Sequence, residues 1–216
     1  TPQGRAFFIQ RGEHGRPRLL IAVPADLAHF QMNLEALAEL ITPETKAIII
    51  NTPNNPTGVV YTEENLKAFC DLLRTKAQEY GHPIYLLADE PYRELIYDDK
   101  TVVPYLPNLY DDTFVCYSFS KSLSLPGERI GYIVVSPKMA DSRNVYAAIC
   151  GSGRALGFVC APSMAQRVVA ENLGKTGDLS IYRKNRDLLS KFFQGHLHHG
   201  YMLFQKKMQS RWRAVS

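Results

Sequence analysis

Apolar residues follow two rhythms along this chain. Between residues 33 and 41, Leu34, Leu37, Ala38 and Ile41 recur at helical spacing behind Asn33, whose side-chain oxygen can cap the first turn, so a short helix is predicted. A second and stronger helix is predicted behind Thr62. Acidic Glu63 and Glu64 suit a helix N-terminus, Leu66, Phe69, Cys70, Leu73 and Ala77 share one face, and Gly81 stops the pattern. The other rhythm is a set of compact apolar runs. Residues 46–51 form a β-branched run closed by a Pro- and Asn-rich loop, the signature of a strand buried on both faces. Similar runs span 84–88 before Asp89, 113–117 before Ser118, and 131–135. Beyond Pro137 the pattern turns helical, through 139–156, 162–173 and from Ile181 onward.

Short strands separated by a strong helix predict an α/β domain with a largely parallel sheet, because parallel neighbours need long crossovers. The chain contains no internal repeat and no low-complexity linker.

Composition narrows the functional classes. With 216 residues and 45% hydrophobic content, the chain can build one sizeable core. A net charge of +4 argues for neither a nucleic-acid nor a membrane partner. No apolar run reaches the length of a membrane span, and residues 1–18 lack the plan of a signal peptide, which predicts a soluble, unexported protein. Cys70, Cys116, Cys150 and Cys160 form no close pair and each sits in an apolar stretch, so buried, reduced thiols and a cytoplasmic setting are expected.

Polar residues cluster where the strands end. Ligands of open α/β sheets bind beyond the carboxyl ends of the strands, and Asn55, Asp89 with Tyr92, and 118–121 all occupy such positions. Taken singly each has a plain structural reading: a turn for the Asn-Pro loop, a helix cap for Asp89, a solvated side chain for Lys121. Arg129 could simply pair with Glu128 or Asp112. The glycines of 150–157 (CGSGRALG) lack nucleotide-loop spacing and suggest a helix break. His196, His198 and His199 have no acidic or cysteine partners at ligand spacing, so no metal site is predicted.

Jointly, residues 51–58 (NTPNNPTG), 89–92 (DEPY) and 117–132 (YSFSKSLSLPGERIGY) resemble the signatures of the class I/II aminotransferases, the pyridoxal-phosphate-dependent enzymes of fold type I related to aspartate aminotransferase. The resemblance runs from about Pro24 to Leu189. It implies a cofactor-binding large domain over 24–189, a mostly parallel sheet flanked by helices, with atypical segments at 1–23 and 190–216. It implies pyridoxal 5'-phosphate as cofactor, an amino acid and a 2-oxo acid as substrates, and a homodimer for the intact relative.

Family roles carry over residue by residue. Lys121 matches the lysine that holds the cofactor and later moves the substrate's proton. Asp89 matches the carboxylate facing the pyridine nitrogen, where it favours the protonated ring. Tyr92 and Asn55 match the partners of the phenolic oxygen. Ser118, Ser120 and Arg129 match the phosphate grip, for which hydroxyls and a forked guanidinium are suited. Glu90 and Pro91 are assigned to local scaffolding.

Departures from the family are equally specific. The segments that normally supply a glycine- and serine-rich phosphate loop, an aromatic residue stacked on the ring, and the arginine gripping the substrate carboxylate are not found, and Arg211 and Arg213 stand in no matching context. A chain truncated at both ends with altered termini is the expectation. The alternatives are a lyase or decarboxylase on the same scaffold, or a non-catalytic fragment or sensing module.

Overall fold

The computed structural model describes residues 7–11, 17–21, 31–55, 57–97 and 100–196. Six strands, β1 (Phe7–Arg11), β2 (Pro17–Ile21), β3 (Thr45–Asn51), β4 (Tyr85–Asp89), β5 (Thr113–Ser118) and β6 (Gly131–Val135), form one sheet in the order β2-β1-β3-β4-β5-β6. The pairs β3–β4 and β4–β5 are parallel, while β6 and the β1–β2 hairpin join antiparallel at either side. Thus β2, β3, β4 and β5 run one way and β1 and β6 the other. The predicted parallel core is present, and the hairpin is an addition that the apolar pattern did not reveal.

The first two helices form where the caps predict. Helix α1 (Leu34–Leu40) begins at Asn33, whose side chain accepts from the Ala36 amide at 3.0 Å. Helix α2 (Glu63–Tyr80) begins at Thr62, whose hydroxyl accepts from the Asn65 amide at 3.1 Å, and ends at Gly81 in the left-handed region with φ of 68°. A residue with a Cβ pays a steric cost in that conformation, which is why the apolar repeat stops there. Between β5 and β6 the chain makes a single helical turn, α3 (Phe119–Ser122). Helices α4 (Ser142–Ala155), α5 (Ser163–Glu171) and α6 (Leu179–His196) follow. Gly151 and Gly153 lie inside α4, so the predicted break falls later, after Leu156, at Gly157 with φ of 89°. Among the described residues no helix is long and apolar enough to cross a membrane. His198, His199, Arg211 and Arg213 lie outside the described residues.

The main core lies between one sheet face and α1 and α2. Ile48 and Ile50 of β3, Leu86 and Ala88 of β4 and Val115 of β5 meet Leu37, Leu66, Phe69, Cys70 and Leu73, all buried. The alternate residues Ile49, Leu87 and Phe114 are only half-buried, which corrects the expectation of a β3 buried on both faces. α1 and α2 cover one face, and on the other α4 contacts the edge strand β6. Of the cysteines, Cys70 is buried on the inner face of α2 as expected, whereas Cys116 is half-buried and Cys150 and Cys160 are exposed, which corrects the expectation of four buried thiols.

A smaller core sits at the β5–β6 end, where Tyr117, Phe119, Ile130, Ala165 and Val169 pack together with Leu123, Leu125 and Ala161. It carries the turn α3. Here β6 passes β5 so closely that a Cβ on Gly131 would run into the carbonyl oxygen of Tyr117. Gly131→Ala is therefore expected to destabilise the protein by about 1–3 kcal/mol through overpacking against backbone. Urea denaturation measures this, and an unchanged midpoint would show that the two strands can part without cost.

Candidate active site

Parallel register brings the first group of polar residues together. Asn51 and Asp89 are partners at the carboxyl ends of β3 and β4, and Asp89 is in turn level with Cys116 on β5. From that position the Asn51 side chain donates to the Asp89 carbonyl at 2.9 Å and to its Oδ2 at 3.2 Å. Its own oxygen accepts from the Asn55 amide at 2.6 Å, which folds the following loop back over the strand end. Within that loop Asn54 accepts from the Thr57 hydroxyl at 2.8 Å, and Gly58 adopts φ of 69°.

The folded loop aims Asn55 at the next strand's turn, where its side chain donates to the Tyr92 hydroxyl at 3.0 Å. The Lys121 Nζ stands 5.7 Å from the centre of the Tyr92 ring. Asn55, Tyr92 and Lys121 thus come from three different strand ends and meet at one place. Tyr92 is held there by its neighbour. Glu90, 1% exposed, pairs with Arg93 at 2.8 Å, and Arg93 also donates to the carbonyls of Val103 at 2.7 Å and Pro104 at 3.3 Å. Burial pushes the Glu90 carboxyl up, opposed by Arg93. Removing Arg93 would leave a buried, unpaired carboxylate.

Asp89 is the contrasting neighbour. Partial burial pushes its carboxyl above the usual range, and among the described residues no cation pairs with it. A carboxylate held in this way at the rim of a cleft gains from a cationic guest.

On β5 and α3, Ser118 caps the turn by accepting from the Ser120 amide at 3.2 Å, and the two hydroxyls lie 2.7 Å apart. Two hydroxyls and the start of a helical turn suit an anion with several acceptor oxygens. Arg129 has a backbone φ of 51°, rare for a residue with a side chain, and its guanidinium donates to the Pro126 carbonyl at 3.0 Å. It pairs with neither Glu128 nor Asp112, whose Oδ1 instead accepts from the Ala140 amide at 2.6 Å.

A cavity of about 620 Å³ opens beside β5, β6 and α4, reaching Asp89, Cys116, Ser118, Tyr132 and Arg154. A neighbouring one of about 550 Å³ includes Arg129 and Glu128, and the two share Gly131 and Phe158. Asp89 and Ser118 therefore line one hollow and Arg129 the adjoining one, while Asn55, Tyr92 and Lys121 line neither. The residue that reading by motif passed over is Asn51, which joins the Asp89 end to the Asn55 loop. Its signal was an amide at the last position of a β-branched strand, where asparagine is disfavoured.

Comparison with known proteins shows the family of the chain. The family model for aminotransferase class I and II matches residues 18–198. The chain belongs to that family. It is 39% identical over 106 residues to the aspartate/prephenate aminotransferase of Cereibacter sphaeroides, covering 48% of this chain and 25% of that relative. Among solved structures, an aminotransferase from Eubacterium rectale shares 54% identity with a TM-score of 0.75, over 78% of this chain and 42% of the other. Aspartate aminotransferase from Thermus thermophilus, solved with maleate, shares 28% identity with a TM-score of 0.60, over 77% and 42% respectively. The chain spans less than half the length of the relatives it matches.

The sign of the Asp89 shift makes a stability prediction. Because the folded chain holds the Asp89 proton more tightly than the unfolded chain does, ionising this group opposes folding. The penalty is absent below the unfolded value of about 3.9 and complete once pH exceeds the folded one. Asp89→Asn should raise the thermal midpoint of the protein without added ligand at pH 7, by a margin that shrinks as pH falls toward 4. Melting curves across that range check this, and a lower midpoint at pH 7 would contradict it.

Proposed function

We propose that this chain is the cofactor-holding core of a pyridoxal-phosphate-dependent aminotransferase, which moves an amino group between an amino acid and a 2-oxo acid. The carrying observation is the meeting of Asn55, Tyr92 and Lys121, joined through Asn51 to an Asp89 carboxylate that has no cation partner among the described residues. The donor set fits the cofactor: an amine for its aldehyde, an acid for its ring nitrogen, an amide and a phenol for its ring oxygen, and a hydroxyl pair for its phosphate.

In this reading Lys121 would hold the cofactor through its amine and would move the proton at the substrate's α-carbon. Bound pyridoxal phosphate supplies the electron sink that makes this proton acidic. Asp89 orients the ring and offers its nitrogen a fixed negative partner, which sustains that sink. Asn55 and Tyr92 would hold the ring oxygen. Ser118 and Ser120 would donate to the phosphate at the α3 turn, and Arg129 would supply a two-pronged charge to the same group. Residues 24–189 form this cofactor domain. Exposed apolar side chains on and after α4, including Tyr146, Leu156, Phe158 and Val159, suit burial in the homodimer expected of the intact protein.

Support for amino-group transfer over elimination or decarboxylation comes from the relatives, which are named as aminotransferases. Titration of the purified chain with pyridoxal phosphate, followed by borohydride reduction and peptide mapping, tests the assignment. A new absorbance band and modification at Lys121 are expected, and Lys121→Ala should lose both. Asp89→Asn should weaken binding about ten- to a hundredfold, the worth of a hydrogen bond to a charged group. An unchanged spectrum for Lys121→Ala would overturn the role of the lysine.

A further inference from the structure

Lys121 sits on a helix of one turn, too short to hold its own direction. What fixes it comes from elsewhere. The Phe119 amide donates to the Ile130 carbonyl at 3.2 Å, and the Ser122 carbonyl accepts from the Gly177 amide at 2.7 Å. These bonds hold the turn by its backbone at both ends. Its side chains have one buried polar tether, the Tyr117 hydroxyl donating to Ser122 Oγ at 2.7 Å.

The Tyr117 phenol is pushed upward by burial and drawn back by the Ser122 bond. Stacking fixes the Tyr117 ring, which lies parallel to Tyr132 at 5.0 Å and edge-on to Phe119 at 5.2 Å. The phenol oxygen therefore has little freedom to leave Ser122.

We propose that Tyr117 and Ser122 form a positioning relay that sets the angle of the turn carrying Lys121. Ser122 is the next residue after Lys121, and Tyr117 is locked by the stacked rings of Tyr132 and Phe119. The relay thus orients the amine through a buried phenol, rather than through contact with any bound molecule. The inference rests on Lys121 being the reactive amine.

The test follows the rate at which pyridoxal phosphate becomes borohydride-trapped on Lys121 in the full chain. Tyr117→Phe and Ser122→Ala should each slow trapping about five- to tenfold, the worth of one hydrogen bond. Ser122→Thr, which keeps the hydroxyl, should restore the rate whether or not its added methyl lowers the melting temperature. Val169→Ala, a packing change in the same small core, should lower the melting temperature while leaving trapping near the parent rate. Parent-like trapping in Tyr117→Phe and Ser122→Ala would overturn the relay. So would equal slowing in Ser122→Thr and Ser122→Ala, or slowing in Val169→Ala matching that in Tyr117→Phe. If Tyr117→Phe does not fold, the two Ser122 variants decide. Unchanged trapping in Lys121→Ala would instead remove the reactive lysine itself, and the relay with it.

Discussion

The register of β3 against β4 is the constraint on which the candidate site depends. Parallel pairing sets Asn51 level with Asp89 and so lets one amide hold both the backbone and the carboxylate of its partner while turning the next loop inward. A slip of one residue would send Asn51 to the opposite face and leave Asp89 without a donor. That register is secured far from the site, by Ile48, Ile50, Leu86 and Ala88 interlocking with the buried face of α2. Hydrophobic packing on one side of the sheet thereby places polar chemistry at its end.

Two adjacent carboxyls show how the fold separates structural from chemical charge. Glu90 points into the protein, meets Arg93 and ties the Tyr92 turn to residues 103 and 104. Asp89 points the other way, into the cleft, with an amide for company. Strand geometry explains the division, since successive side chains leave opposite faces of an extended chain. Glu90 is paired within the structure, and Asp89 has no cation partner among the described residues.

The second core matters for a different reason. Tyr117, Phe119 and Ile130 with Ala165 and Val169 support a turn that has too few backbone bonds of its own. Gly131 allows β6 close enough to β5 to close this core from the side, and Gly177 reaches the Ser122 carbonyl from beyond α5. The turn that carries Lys121 is therefore oriented by segments spread over some sixty residues of sequence, Tyr117 to Gly177. Rigid placement of this kind is what allows a side chain to present one geometry to a reactant.

The local elements were legible in the residues themselves. Asn33 as a cap, Glu63 and Glu64 at a helix start, Gly81 as a stop, and the β-branched runs each depend on neighbours a few positions away, so pattern alone located α1, α2 and the four strands β3 to β6. The candidate site was read from the resemblance of residues 51–58, 89–92 and 117–132 to the class I/II aminotransferases, because each of its residues taken singly had a plain structural explanation. The hairpin of β1 and β2 was not legible, since its pairing with β3 is a long-range choice. Nor was the half-open sheet face, which depends on where α4 comes to rest, nor the exposure of Cys150 and Cys160. The role of Asn51 and the pairing of Tyr117 with Ser122 needed coordinates as well. Sequence determines what each residue can donate, accept or bury, but which of them meet is decided by packing between segments that no local pattern records.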